Sequence, residues 1–142
     1  MDIIELEDQQ GDTLKAFEDS EYPLVDKEHF GNQLPNFNNS SHTLVMKDGD
    51  SIAGYITIDI KLGIAYINSL LIGKNYRRKG IGKQLVAKAE AKARSLGAHK
   101  IWLETGRGWD AKQFYEALGY MVRTILPDDA GHQDFVLMDK ML

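Results

Sequence analysis

The run Leu70-Leu71-Ile72-Gly73-Lys74-Asn75-Tyr76-Arg77-Arg78-Lys79-Gly80-Ile81-Gly82-Lys83 decides how this chain folds. Its first three residues are apolar in succession, which predicts the end of a strand buried on both faces. Beyond the glycines, Ile81, Leu85, Ala89, Ala93 and Leu96 recur at helical spacing. They predict a helix over 80–96 with one apolar face, closed by Gly97 at its C-cap. A helix N-terminus presents unpaired N–H groups and a partial positive charge, so it suits a phosphate. Gly80 and Gly82 leave the backbone there without Cβ atoms, and Arg77, Arg78, Lys79 and Lys83 add full charges. A nucleoside-triphosphate loop would need Ser or Thr after Gly82-Lys83, where Gln84 stands. A dinucleotide fingerprint would need a third glycine, where Leu85 stands. A plain strand-to-helix turn using glycine for its geometry alone stays the alternative.

Outward from this run, the pattern predicts a mixed α/β fold around one sheet. N-terminal to it, Ile56, Ile58 and Ile60 alternate with Tyr55, Thr57 and Asp59 over 52–60, as a half-buried strand does. Lys47-Asp48-Gly49-Asp50 predicts a hairpin turn joining that strand to another over 42–46. Leu62-Gly63 turns the chain into a strand over 64–72. C-terminal to it, Ile101-Trp102-Leu103 predicts a short buried strand. Asp110 then precedes a helix over 111–118 that shows Phe114 and Leu118 on one face and closes at Gly119. Two last strands, over 120–126 and 135–141, flank the turn Pro127-Asp128-Asp129-Ala130-Gly131. Residues 1–42 are less regular. They predict a short strand at Ile3-Ile4-Glu5-Leu6, a polar helix around Asp12 to Asp19, and a short helix with loops over 20–41. With no linker or repeat, the whole of 1–142 reads as a single domain.

The 142 residues are 43% hydrophobic and 27% charged, which excludes a disordered or fibrous chain. With no cysteine there is no disulfide, thiol nucleophile or Cys-ligated zinc, and no metal site is expected. No apolar run reaches the roughly 18 residues of a membrane span. The first twelve residues are acidic without a base, so no secretory or mitochondrial leader is expected, and a cytoplasmic location is. The net charge of −4 conceals an asymmetry. Residues 1–50 hold 12 acids and 3 bases, whereas residues 74–100 hold 9 bases and the single acid Glu90. Segregation of this kind predicts a localised anionic ligand.

The elements Arg77-x-x-Gly80-x-Gly82 and Ala111-x-x-Phe114-Tyr115-x-x-x-Gly119-Tyr120, in this order, resemble the signature of the GNAT superfamily of acyl-CoA N-acyltransferases. Leu70-Leu71-Ile72 and Tyr76 match the strand end and the Tyr-Arg that precede the family's turn. The likeness covers about 43–142. It implies a GNAT-like fold, a central, mostly antiparallel mixed sheet flanked by helices, and attack of a neutral amine on the thioester of acetyl-CoA. It also implies residue roles. Arg77, Arg78, Lys79, Gly80, Ile81, Gly82 and Lys83 would cradle the pyrophosphate. Backbone groups of Leu70, Leu71 and Ile72 would hold the pantetheine arm and polarise the carbonyl. Tyr115, about 100° around the helix from Phe114, would be the general acid. Glu104 is the first candidate for the general base, with Asp59, His132 or an ordered water as alternatives. Trp109 and Tyr55 are candidates for the acceptor pocket. Two positions depart from the family pattern, Gly108 where Asn is common and Asn68 where many relatives place a glutamate.

The expected partners are therefore acetyl-CoA and an amine acceptor, with no nucleic acid and no membrane, and a homodimer through the late strands left open. Two other functions stay in view. One is an acyl-CoA-binding sensor of the same fold. The other is a nucleic-acid binder using residues 74–100, which hold one aromatic residue, Tyr76, in an otherwise acidic chain.

Overall fold

The computed structural model describes residues 1–6, 11–35 and 38–142, and the chain divides into two compact units, 1–35 and 36–142. In the first unit, helix α1 spans Gly11–Phe30 and runs through Pro23. The sequence reading broke this helix near residue 20. A proline removes one N–H donor, but good helix formers on both sides (Ala16, Glu18, Leu24, Lys27) carry the helix across it. No residue of α1 is buried. Ile3 to Leu6 form no strand, correcting the expectation for that segment. Part of the loop expected before the first strand, residues 36–37, lies outside the described residues. Among the described residues no helix is long and apolar enough to cross a membrane.

The second unit runs β1 (Ser40–Asp48), β2 (Ser51–Lys61), β3 (Ile64–Ile72), α2 (Ile81–Ser95), β4 (Lys100–Gly106), α3 (Asp110–Ala117), β5 (Met121–Leu126) and β6 (Phe135–Met141). The strands form one sheet in the order β1-β2-β3-β4-β6-β5, antiparallel except for β3 against β4. The period-two alternation of β2 holds. Ile56, Ile58 and Ile60 are buried, and with Ile101, Leu103, Val136 and Met138 they form the core beneath Leu85, Val86, Ala89 and Ala93 of α2. Leu96, assigned to that helical face by spacing, is 39% exposed because the helix has ended by then. Gly97, at φ +87°, turns the chain out while its N–H reaches Arg94 O and the next N–H reaches Ala93 O. This is the paired closure of a Schellman end.

Two irregularities open the sheet. Thr57 of β2 faces Ser69 while Ile58 faces Ile67, so Asn68 is an extra residue that bulges β3. Beyond the bulge β3 leaves its neighbour, since only Ile64 to Tyr66 pair with Lys100 to Trp102. β4 stays with β6 as far as Gly106. The end of β3 is therefore not buried on both sides as its composition suggested. Leu71 is 54% exposed, because one edge of this segment has no neighbouring strand.

Candidate active site

The wedge between β3 and β4 is a cleft of about 1460 Å³, above the usual range for small-molecule sites, roughly 300–1,000 Å³. The end of β3, the turn into α2, the end of β4 and helix α3 all line it. Leu70, Leu71, Ile72, Arg77, Arg78, Gly80, Ile81, Gly82, Lys83, Glu104 and Tyr115 are brought together on its walls, as are Tyr55 and Trp109. Lys79 is not among them; its ammonium lies 5.5 Å from the centroid of the Tyr76 ring. His132 sits in an exposed turn paired with Asp128, 2.9 Å away, and Asp59 also lies off the cleft wall.

The turn into α2 depends on backbone that side chains resist. Gly80 caps the helix at φ +76°, ψ 5°, and Arg78 is also left-handed at φ +59°. The first helical bond runs from Gln84 N–H to Gly80 O at 3.1 Å, so the N–H groups of the first turn have no carbonyl behind them. Arg77 Nε donates to Ile72 O at 3.3 Å and fastens the turn to the strand end. The two glycines serve different purposes. A Cβ at Gly80 would meet nothing within 4 Å, so glycine is there for its φ. A Cβ at Gly82 would lie 3.2 Å from Phe114 Cζ, so that glycine lets α2 and α3 approach.

Across the cleft, α3 starts after Trp109, and Asp110 is its first residue with no side-chain bond capping the end. Tyr115 is the buried residue of the helix, 5% exposed, with its ring edge-on to Phe114 at 5.0 Å and to Tyr120 at 5.3 Å. Burial pushes its phenol up to about 12, so it keeps its proton throughout the neutral range. Glu104 is exposed on β4 opposite Leu137, on the sheet face away from Leu103 and the core. Trp109 is half exposed. Its ring lies against Gly106, where any Cβ would collide with it, edge-on to Phe135 at 5.2 Å, with Nε1 donating to Gln133 Oε1 at 3.2 Å.

Charge is sorted along the cleft. Arg77, Arg78 and Lys83 stand at the α2 end, and the carboxylates Glu104 and Asp110 stand at the β4–α3 end. Thr105, within the segment 105–109 expected to shape the acceptor site, also lies on the walls. Sequence reasoning overlooked Ser69 there, and no periodic signal marks it. It also counted Glu90 only as a charge. The structure buries Glu90 to 7% exposure, where it accepts from Lys140 Nζ at 2.9 and 3.1 Å and from the Tyr120 hydroxyl at 3.2 Å.

A family model described as "Acetyltransferase (GNAT) family" matches residues 4–120. A [ribosomal protein bS18]-alanine N-acetyltransferase of Salmonella typhimurium is 26% identical over 122 residues, covering 82% of this chain and 80% of its own. Among solved structures, an acetyltransferase from Bacillus cereus superposes with a TM-score of 0.77 at 21% identity, over 100% of this chain and 98% of its own. An acetyltransferase from Bacillus anthracis, solved with acetyl coenzyme A, gives 0.66 at 22% identity over 78% of this chain and 65% of its own.

Proposed function

Since the chain belongs to the GNAT acetyltransferase family, we propose that it moves the acetyl group of acetyl-CoA directly onto a primary amine, within one domain that spans 1–142. The observation that carries this reading is the convergence, on one cleft, of a helix N-terminus with three bases, an unpaired strand edge and a protonated buried phenol. In this transfer a nitrogen–carbon bond forms, the carbon–sulfur bond breaks, the amine gives up a proton and the thiolate takes one.

The donor set fits the chemistry of a coenzyme A. Arg77, Arg78 and Lys83, with the free N–H groups of Ile81 to Lys83, supply positive charge and directed donors for a pyrophosphate. Leu70, Leu71 and Ile72 offer apolar side chains and, on the edge that β4 leaves open, backbone groups for an amide-bearing arm. A backbone N–H from this edge would serve as oxyanion donor, an effect worth about 2.7–4 kcal/mol in other enzymes. Tyr115 donates a proton to the leaving sulfur. Its high proton affinity is matched in direction by the sulfur's, because the same burial disfavours a thiolate. Glu104 accepts the amine's proton from the open face of the sheet.

The test is release of free thiol from acetyl-CoA against a broad panel of amines, with the acetylated product identified by mass. Amine-dependent thiol release supports the enzyme. Saturable CoA binding with no amine turned over would refute it in favour of a sensor of acyl-CoA.

A further inference from the structure

The two faces of the sheet differ in kind. One carries the apolar side chains of the core. The other carries Ser41, Asp59, Tyr66 and Trp102 in a single row across β1 to β4, each the register partner of the next. Glu104 stands on that face two residues beyond Trp102, at the cleft wall. Asn68, the bulged residue, lines the cleft and hydrogen-bonds Asp59, so the cleft continues onto the row.

Tyr66 and Trp102 stack at 4.4 Å between centroids. Of the bases near them, Lys100 and Arg123 both pair with Asp139, at 3.1 and 2.6 Å. Among the described residues no ion pair includes Asp59 or Glu104. Asp59 takes neutral donors instead, the Ser41 hydroxyl at 2.5 Å and Asn68, which hold its carboxyl below the usual range and keep it charged. Both carboxylates lie close enough to Tyr66 to raise its phenol, though burial contributes most to that shift. Two carboxylates alone would be an ordinary solvated pair. Here they bracket an aromatic surface at the mouth of the reaction cleft, and among the described residues neither is neutralised by an ion pair, although Lys61 stands two residues from Asp59 on the same face of β2. An ammonium over an aromatic face and beside a carboxylate is stabilised by both.

We propose that the acceptor is a short dicationic amine, its reacting nitrogen at Glu104 and its second positive charge over Tyr66 beside Asp59. This inference rests on the acetyltransferase reading and names its substrate class. Asp59 and Glu104 are two strands apart and offset by two residues. On regular sheet spacing that is at least about 12 Å between Cα atoms, since β4 parts from β3 before Glu104, and inward-reaching side chains reduce the span to about five methylenes.

The experiment compares 1,5-diaminopentane with 5-aminopentan-1-ol, which keeps the length and one amine but exchanges the second charge for a hydroxyl. After correction for the diamine's two equivalent ends, its kcat/KM is expected to be about tenfold higher at low salt, mainly through KM. The advantage shrinks as salt is raised, and Asp59→Asn, which still accepts from Ser41, reduces it to within about threefold. Equal turnover of the two amines by the native protein overturns the proposal, as does an unchanged ratio in a folded Asp59→Asn protein. The salt series on the native protein decides the matter even if the variant does not fold. Turnover of other amines but of neither probe overturns this proposal alone, and turnover of no amine overturns the acetyltransferase reading with it.

Discussion

Replacing Gly82 by valine tests what brings α2 and α3 together at the cleft. An ideal Cβ at this position falls 3.2 Å from Phe114 Cζ, 3.4 Å from Phe114 Cε2 and 3.8 Å from Ile72 Cγ1. Carbon pairs favour about 3.5–4.0 Å, so alanine asks the Phe114 ring to move by only a few tenths of an ångström. That cost is offset by alanine's better helix propensity, up to about 1 kcal/mol, and Gly82→Ala is expected to be near neutral. Valine adds two methyl groups to the same crowded carbon, and overpacking of this kind costs about 1–3 kcal/mol. For a chain of this size the thermal midpoint then falls by about 3–12 °C. Phe114 abuts Tyr115 edge-on at 5.0 Å, so its displacement reaches the tyrosine, and kcat falls as well. Thermal unfolding of Gly82→Val, Phe114→Leu and the double variant closes a cycle. A smaller residue at 114 makes room for valine, with an expected coupling of about 1 kcal/mol or more. A Gly82→Val protein with an unchanged midpoint and no CoA affinity would refute the packing argument. It would mean that Gly82 keeps a side chain out of the ligand's path.

Tyr115→Phe removes one hydroxyl and keeps the ring contacts with Phe114 and Tyr120. A fall in kcat of about 10- to 10³-fold with CoA affinity retained is the expected result, read by steady-state kinetics and calorimetry. Because burial pushes this phenol up to about 12, it stays protonated below that value. Rising pH should therefore cost no activity through Tyr115 until about pH 11, and a loss centred near 10 that disappears in the phenylalanine variant would refute the burial. Glu90→Ala strands Lys140, the Tyr120 hydroxyl and Arg94, whose guanidinium lies 3.9 Å from the Glu90 carboxylate, but Lys140 and Arg94 retain some access to water. The expected loss, about 2–4 kcal/mol by denaturant titration, therefore lies toward the lower end for a broken buried pair.

Much of this molecule was legible in order along the chain. The alternation of Ile56, Ile58 and Ile60 reports a strand with one buried face, since side chains on a strand repeat every two residues. The apolar spacing from Ile81 to Ala93 and the stop at Gly97 report a helix in the same way. The charged turn before α2 is equally local, because the need of Gly80 for a left-handed conformation is a property of its own φ. Helix α1 was the exception. Its sequence has no clear apolar stripe, and Pro23 pointed to a break that its helix-forming neighbours override.

What the sequence by itself determined, then, are the elements from β1 onward, their order, and the residues eligible for the cleft. Their relations across space belong to the tertiary structure. Leu70-Leu71-Ile72 reads as a doubly buried strand end, and only the bulge at Asn68 and the parting of β3 from β4 expose it. Gly82 reads as room for a ligand until Phe114 of a helix far along the chain is found against it. Glu90 counts as one more surface charge until Lys140 and Tyr120 close around it. Periodicity is set by neighbours along the chain, so it survives in one dimension. Separation, approach and charge pairing depend on residues distant in sequence, and only the packed sheet and helices decide them.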